Sequence, residues 1–314
     1  MKNISIFLKK IRNEKRTLML FVLLSLSSHV FGQDNNKALR VLVIGNSFSR
    51  NATSYLQAIT KEKGKKLVIG SAELGGHSLE QHWKYVEAAE ANPEDSVGKP
   101  YRGKSLRMLL SSGTWDMVTL QQYSYLSADL ESYQPYASKL YNYIKTLQPN
   151  AEIILHQTWA YRSDAKKFGR VKVGQLAKDQ TEMWQKSREA YHAIAKQLKT
   201  RIIPVGDAFN LVASDPAHTY KKDEGFNYLS PVYPNLPDQT NSLNVGYYWN
   251  AKKGFAFDAN HANEAGRYLG SLIWYAFLFK DAAETVQFVP EQVSADLAKY
   301  LKKVADQVVN HPIR

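Results

Sequence analysis

The chain has 314 residues, no cysteine, and 41 Lys and Arg against 29 Asp and Glu, for a formal net charge of +12. That length can bury a substantial core, and 44% hydrophobic with 22% charged residues is the balance of a globular protein rather than a disordered one. Without cysteine there is no disulfide framework, thiolate nucleophile, iron–sulfur cluster or cysteine-ligated zinc.

The first 32 residues read as an export signal. Lys2, Lys9, Lys10, Arg12, Lys15 and Arg16 form a basic stretch, and an apolar run follows from Leu18 to Leu26. Ser27, Ser28 and Gly32 then precede the polar Gln33-Asp34-Asn35-Asn36. This layout predicts cleavage near Gly32 and a periplasmic or secreted mature chain. The apolar run falls short of the about 18–20 residues of a spanning helix, so no stable membrane anchor is expected. Six basic residues and Glu14 give the segment a net +5, leaving +7 on the remainder. That remainder is scattered in pairs such as Lys61/Lys63 and Lys166/Lys167, beside predicted helices, and no recognition helix or stacked-aromatic motif accompanies it. A solvated surface accounts for such charge, and no nucleic-acid partner is expected.

From Gln33 onward, short β-like runs alternate with longer helical patterns, which predicts one α/β domain over residues 33–314 with a mainly parallel sheet. The first strand is Arg40–Ile44, a continuous apolar run suited to a sheet buried on both faces. A helix is expected over Thr53–Lys63, stopped by Gly64, and a second strand over Leu67–Ala72. Leu74-Gly75-Gly76 then leads into a helix around Ser78–Ala89. After a Pro-, Gly- and charge-rich surface excursion at Asn92–Lys104 come a strand at Met117–Gln121 and a helix at Tyr133–Leu147. A strand at Glu152–His156, a helix at Gln180–Leu198 and a strand at Arg201–Val205 complete the sheet. The segment 214–253 holds four prolines, five tyrosines and Trp249 with little regular pattern. A loop that long inside a domain points to function. A helix over Leu269–Phe279 and a terminal amphipathic helix at about 290–309 follow. The elements make a three-layer α/β/α sandwich, with ligand chemistry expected at the carboxyl ends of the strands.

Two segments carry chemistry. In Gly45-Asn46-Ser47-Phe48-Ser49 a hydroxyl follows the first strand, beside a glycine that permits a tight turn and near a helix N-terminus that can stabilise an oxyanion. Ser47 or Ser49 could equally be a turn or cap residue. In Asp258-Ala259-Asn260-His261 an acid three residues before a histidine, at an expected loop-to-helix junction, can hold the imidazole in one tautomer and leave the other nitrogen to take a proton from serine. The plainer alternative is that Asp258 or Asn260 caps the helix that follows.

Taken together, the glycine–serine turn after the first strand and the late Asp-x-x-His resemble the SGNH (GDSL-type) hydrolase superfamily, in a secreted bacterial branch with Gly-Asn-Ser-Phe-Ser as first block. The resemblance spans about residues 39–280. It implies a flavodoxin-like SGNH sandwich and a cofactor-free serine esterase with Ser47 as nucleophile, His261 as base and Asp258 as its orienting acid. It also implies oxyanion donors: the Ser47 N–H, a glycine of the second block (Gly76, with Gly75 close behind) and a side chain in the third. The usual Gly-x-Asn-Asp of the third block is missing. Gln121 or Gln122 stands there, a longer amide with the same donor, and Gln122 is preferred. The Gly-x-Ser-x-Gly elbow of the α/β-hydrolases does not fit, because Ser49 occupies the fifth position and the serine follows the first strand.

His156, Gln157 and Trp159 follow the fourth strand on the same sheet edge and are candidate substrate-binding residues, the indole for stacking on a sugar and the other two for hydroxyls. Trp159 could instead plug the core. His77, Glu80 and His82 lack zinc spacing, so no metal is expected. Asp207 is expected to be structural. The substrate expected is an acylated carbohydrate, most simply an O-acetyl ester. A lipase-like acyl esterase and a non-catalytic glycan-binding module are the rivals.

Overall fold

The computed structural model describes residues 37–311; the expected export signal lies outside the described residues. Strand β1 (Leu39–Gly45) forms where the apolar run predicts, and its side chains divide between two cores. Val41 and Val43 enter one, Leu42 and Ile44 the other, and all four are buried. Each such side chain contributes on the order of 1.5–3 kcal/mol relative to exposure. Two-sided burial is what a central parallel strand requires.

Helix α1 (Ser47–Ala52) starts at once, and α2 (Leu56–Glu62) follows after a break at residues 53–55. The sequence predicts one helix beginning at Thr53. The helix begins six residues earlier because Asn46, in extended conformation, caps it: its Oδ1 accepts the Phe48 N–H at 3.0 Å. Next come β2 (Leu67–Glu73), α3 (Leu79–Ala91), α4 (Leu106–Leu110), β3 (Met117–Leu120), α5 (Tyr136–Leu147) and β4 (Glu152–His156). A capping box between Ser78 and Gln81 opens α3. A small antiparallel ribbon, β5 (Arg170–Lys172) with β6 (Gln175–Leu176), precedes α6 (Gln180–Leu198). Strand β7 (Arg201–Ile203) is shorter than predicted, since Pro204 introduces α7 (Val205–Ser214).

Five strands form a parallel sheet in the order β2-β1-β3-β4-β7. Helices cover both faces, so the α/β sandwich expected from the alternation is the fold. The chain turns to opposite sides of β1 to place β2 and β3. The carboxyl ends of β1 and β3 therefore flank a switch point, where open α/β sheets leave a crevice.

The segment 214–253 is more ordered than predicted. It ends in β8 (Asn244–Trp249), which pairs antiparallel with β9 (Phe255–Ala262) as a ribbon separate from the main sheet. Helix α8 (Glu264–Phe279) follows, capped by Asn263, whose Oδ1 accepts the Gly266 N–H. Neither Asp258 nor Asn260 is that cap. Buried on nearly every face, α8 packs between the sheet and α9 (Ala295–Asn310). Helix α9 starts at Ala295 rather than near residue 290, because Ser294 caps it, its hydroxyl accepting the Leu297 N–H. Among the described residues no helix is long and apolar enough to cross a membrane.

Candidate active site

Ser47 is the first residue of α1 and is half-buried at the carboxyl end of β1. Its turn is built from polar contacts that the apolar pattern does not reveal. The Asn46 N–H and the Ser49 hydroxyl both donate to Gln121 Oε1, at 3.1 and 2.9 Å. A side chain on residue 45 would lie 2.6 Å from Ser49 Oγ and 2.7 Å from Gln121 Oε1, so only glycine fits. Asn46 Nδ2 donates to the His77 carbonyl at 3.0 Å and so ties the Gly75-Gly76-His77 loop to the nucleophile turn. Gly75 and Gly76 are exposed there, and Gly76 has φ +68, a left-handed conformation suited to glycine.

Asp258 and His261 lie on β9, not at the loop-to-helix junction that the sequence predicts. Asp258 Oδ1 accepts the N–H groups of Asn260 and His261, at 2.9 and 3.0 Å, and Oδ2 accepts from His261 Nδ1 at 2.8 Å. His261 Nε2 stands 2.9 Å from Ser47 Oγ. Burial opposes ionisation of Asp258, but the hydrogen bonds from the His261 ring and from these two backbone N–H groups outweigh it and hold the carboxyl down to about 2. An ionised Asp258 can only accept, so the ring proton sits on Nδ1 and Nε2 accepts the Ser47 proton. The three residues singled out in two segments more than two hundred positions apart thus meet in one hydrogen-bonded chain.

Both glutamine amides are turned inward onto partners within the fold. Gln122 Oε1 accepts the N–H groups of Leu79 and Tyr123, while Nε2 donates to Ser132 at its carbonyl (3.0 Å) and hydroxyl (3.1 Å). Gln121 Nε2 donates to the Gln122 carbonyl. The expectation that Gln122 or Gln121 offers an oxyanion donor is corrected: both are fully buried and brace the strand ends. The Ser47 N–H, at the first position of α1, has no intrahelical acceptor.

The expected substrate-binding trio is also corrected. His156, Gln157 and Trp159 are 0%, 0% and 1% exposed, because α7, α8 and the ribbon cover the end of β4. Gln157 exchanges hydrogen bonds with Asp207 through its Nε2 and Oε1. Trp159 stacks between Phe48 and Phe209, with centroids 4.2 and 4.6 Å away. His156 Nδ1 donates to Ser49 Oγ at 3.1 Å, since that hydroxyl's own proton is on Gln121. Its Nε2 has no partner, and burial pulls the imidazole down to about 3. Asp207 is buried and accepts from Gln157, Trp184 and Arg188, the structural role expected of it.

Several residues of the site escape sequence reasoning. Asn46, Asn51, Asn244 and Arg162 are buried polar groups that shape the turn and β9. Arg162, 1% exposed, pairs with Asp164 and lies over the rings of Tyr220, Tyr247 and Phe257, so the long aromatic segment folds around a guanidinium. A buried arginine next to Ser163-Asp164 leaves no periodic signal. Among the described residues no group of three His, Asp or Glu could hold a metal.

Comparison with known proteins gives a family model, "Domain of unknown function (DUF4886)", that matches residues 40–227. A DUF4886 family protein from Bacteroides uniformis superimposes with a TM-score of 0.67 at 21% identity, over 88% of this chain and 97% of that one. This likeness supports the fold. A candidate SGNH hydrolase from Slackia heliotrinireducens gives a TM-score of 0.47 at 20% identity, covering 76% of this chain and 98% of its own. For an acetyl xylan esterase from Geobacillus stearothermophilus the values are 0.38 and 14%, over 81% and 97% of the two chains. No curated protein gives a significant sequence match.

Proposed function

This chain belongs to the DUF4886 family, and we propose that it is a serine esterase of the SGNH type. The observation that carries the reading is the unbroken chain from Ser47 Oγ through His261 (2.9 Å) to Asp258 (2.8 Å), placed beside the switch-point crevice of the sheet. Ser47 Oγ attacks the ester carbonyl carbon as His261 Nε2 takes its proton. Asp258 stays ionised and steadies the imidazolium. The oxyanion is met by the N–H groups of Ser47 and Gly76, two backbone donors without a side-chain amide. Collapse of the tetrahedral intermediate breaks the C–O bond, and the departing alkoxide takes the proton from His261. Water, deprotonated in turn by His261, attacks the acyl group, releases the carboxylic acid and restores Ser47.

The substrate is an O-acetylated carbohydrate met outside the cytoplasm. The basic–apolar N-terminal segment supports export, and the exposed Tyr233 and Tyr248 near the ribbon supply faces on which a sugar ring can stack. The test is hydrolysis of p-nitrophenyl acetate and of acetylated polysaccharides by residues 33–314, wild type beside Ser47→Ala. The expected loss is about 10⁴-fold or more in kcat/KM with the fold intact. Turnover that survives Ser47→Ala removes the mechanism. Glycan binding without any turnover makes the protein a binding module.

A further inference from the structure

We infer that Asn51 and Trp159 are positioning residues that set the separation of Ser47 and His261; this rests on the esterase reading above. The β8–β9 ribbon belongs to a different sheet from β1, so no strand ladder fixes the base relative to the nucleophile. Beside the packing of the Phe48 ring against His261 (centroids 6.0 Å), two side chains supply hydrogen-bonded links, one on each side of His261 in the chain. Just after the histidine, the Ala262 N–H donates to Asn51 Oδ1 at 3.1 Å, and Asn51 lies on α1, the helix that begins with Ser47. Just before it, the Asn260 carbonyl accepts from Trp159 Nε1 at 2.8 Å. That indole stacks at 4.2 Å on Phe48, the neighbour of Ser47, and is backed by Phe209.

Asn51 and Trp159 are 9% and 1% exposed, so water competes little for either hydrogen bond. Two further bonds hold the Ala259 carbonyl, from Asn244 Nδ2 (2.9 Å) and from the Arg162 N–H (3.0 Å). They tie β9 to its own ribbon and to the segment after β4, not to α1. Of these hydrogen bonds only that of Asn51 comes from the nucleophile helix itself, and that of Trp159 reaches the helix through its stack on Phe48. Proton transfer needs the heavy atoms within about 2.6–3.2 Å, and displacement by about 1 Å costs on the order of a hundredfold in rate.

The variants Asn51→Leu and Trp159→Phe each delete one hydrogen bond, the first at nearly constant volume and the second leaving a small void between Phe48 and Phe209. Asn51→Asp keeps the acceptor. Each deletion is expected to lower kcat about 10- to 100-fold with KM within about twofold, and Asn51→Asp to recover most of it. The rate at which a fluorophosphonate labels Ser47 falls in parallel. In a His261→Ala background neither deletion has a further effect, because the residue through which they act is gone. A loss confined to KM, a loss that persists undiminished in that background, or failure of Asn51→Asp to rescue overturns the inference. A readout without substrate separates this inference from the esterase reading. The low-field proton NMR signal of the His261 Nδ1–H on Asp258 should broaden or shift in both deletion variants. If the wild type neither hydrolyses esters nor takes the label, the esterase reading fails. An unchanged NMR signal in Asn51→Leu and Trp159→Phe overturns the positioning role whatever the activity.

Discussion

The β1–α1 turn and the β8–β9 ribbon face one another across the site but are built in opposite ways. The turn grows out of a strand buried on both faces, and hydrophobic burial of Val41 to Ile44 holds its carboxyl end in place. The ribbon has only two strands, which alone are marginal in water. Besides the burial of Ala259 and Ala262 in the core, it is held by polar and cationic contacts: Trp159 on a carbonyl, Asn51 on an N–H, and Arg162 beneath Tyr247 and Phe257. The base sits on a part whose position individual hydrogen bonds can tune.

Asp258→Asn tests the ribbon side most severely. Asparagine can present a donor to Nδ1 and favour the wrong tautomer, so kcat should fall about 10³- to 10⁴-fold while KM changes little, with a modest drop in melting temperature because the ionised carboxyl contributes to folding at neutral pH. Steady-state kinetics beside a melting curve checks this, and a loss shared equally between KM and kcat would contradict it.

Arg162→Leu addresses what holds the ribbon. It leaves Asp164 buried without its guanidinium and should cost about 3–5 kcal/mol, read from the urea midpoint. A loss below about 1 kcal/mol would mean that the aromatic segment does not depend on its cation.

Acid separates the two regions more gently. Burial holds His82 down to about 4 and His156 down to about 3, both on the sheet side. The unfolded chain takes up these protons near pH 6.5 and the folded chain does not. Stability from this source is therefore full above about 6.5 and falls progressively below it, by on the order of a few kcal/mol by pH 4. Asp258 has the other profile. Its depressed carboxyl contributes above about 4, and the contribution is lost as pH falls from there to about 2. Urea unfolding at pH 7.5, 5.5 and 4.5 should show a decline that His156→Gln makes shallower and Asp258→Asn leaves alone above pH 4. Equal slopes for wild type and His156→Gln would refute the assignment.

The inner strands of the sheet were legible because burial on both faces writes unbroken apolar runs such as Val41–Ile44 and Ile153–Leu155 into the chain. Ser47, Asp258 and His261 were legible by type and by spacing. Their distances were not, since residues 47 and 261 are joined only through the folded molecule. The ribbon was missed because Asn244–Trp249 sits among prolines and asparagines and pairs locally outside the main sheet. The glutamines and the trio after β4 were misread for one reason: residue type shows what a side chain can donate, not whether a neighbour has already taken it.

By itself, then, the sequence determined the parallel α/β frame and the residue types available for chemistry, since hydrophobic periodicity and turn residues are local properties of the chain. Tertiary structure alone decided which polar groups face solvent and which brace the interior. Gln121, Gln122, His156, Gln157 and Trp159 became internal struts, and Asn51 reached across to the base strand. Burial and hydrogen-bond partnership depend on what packs from distant segments, and no window of sequence contains that.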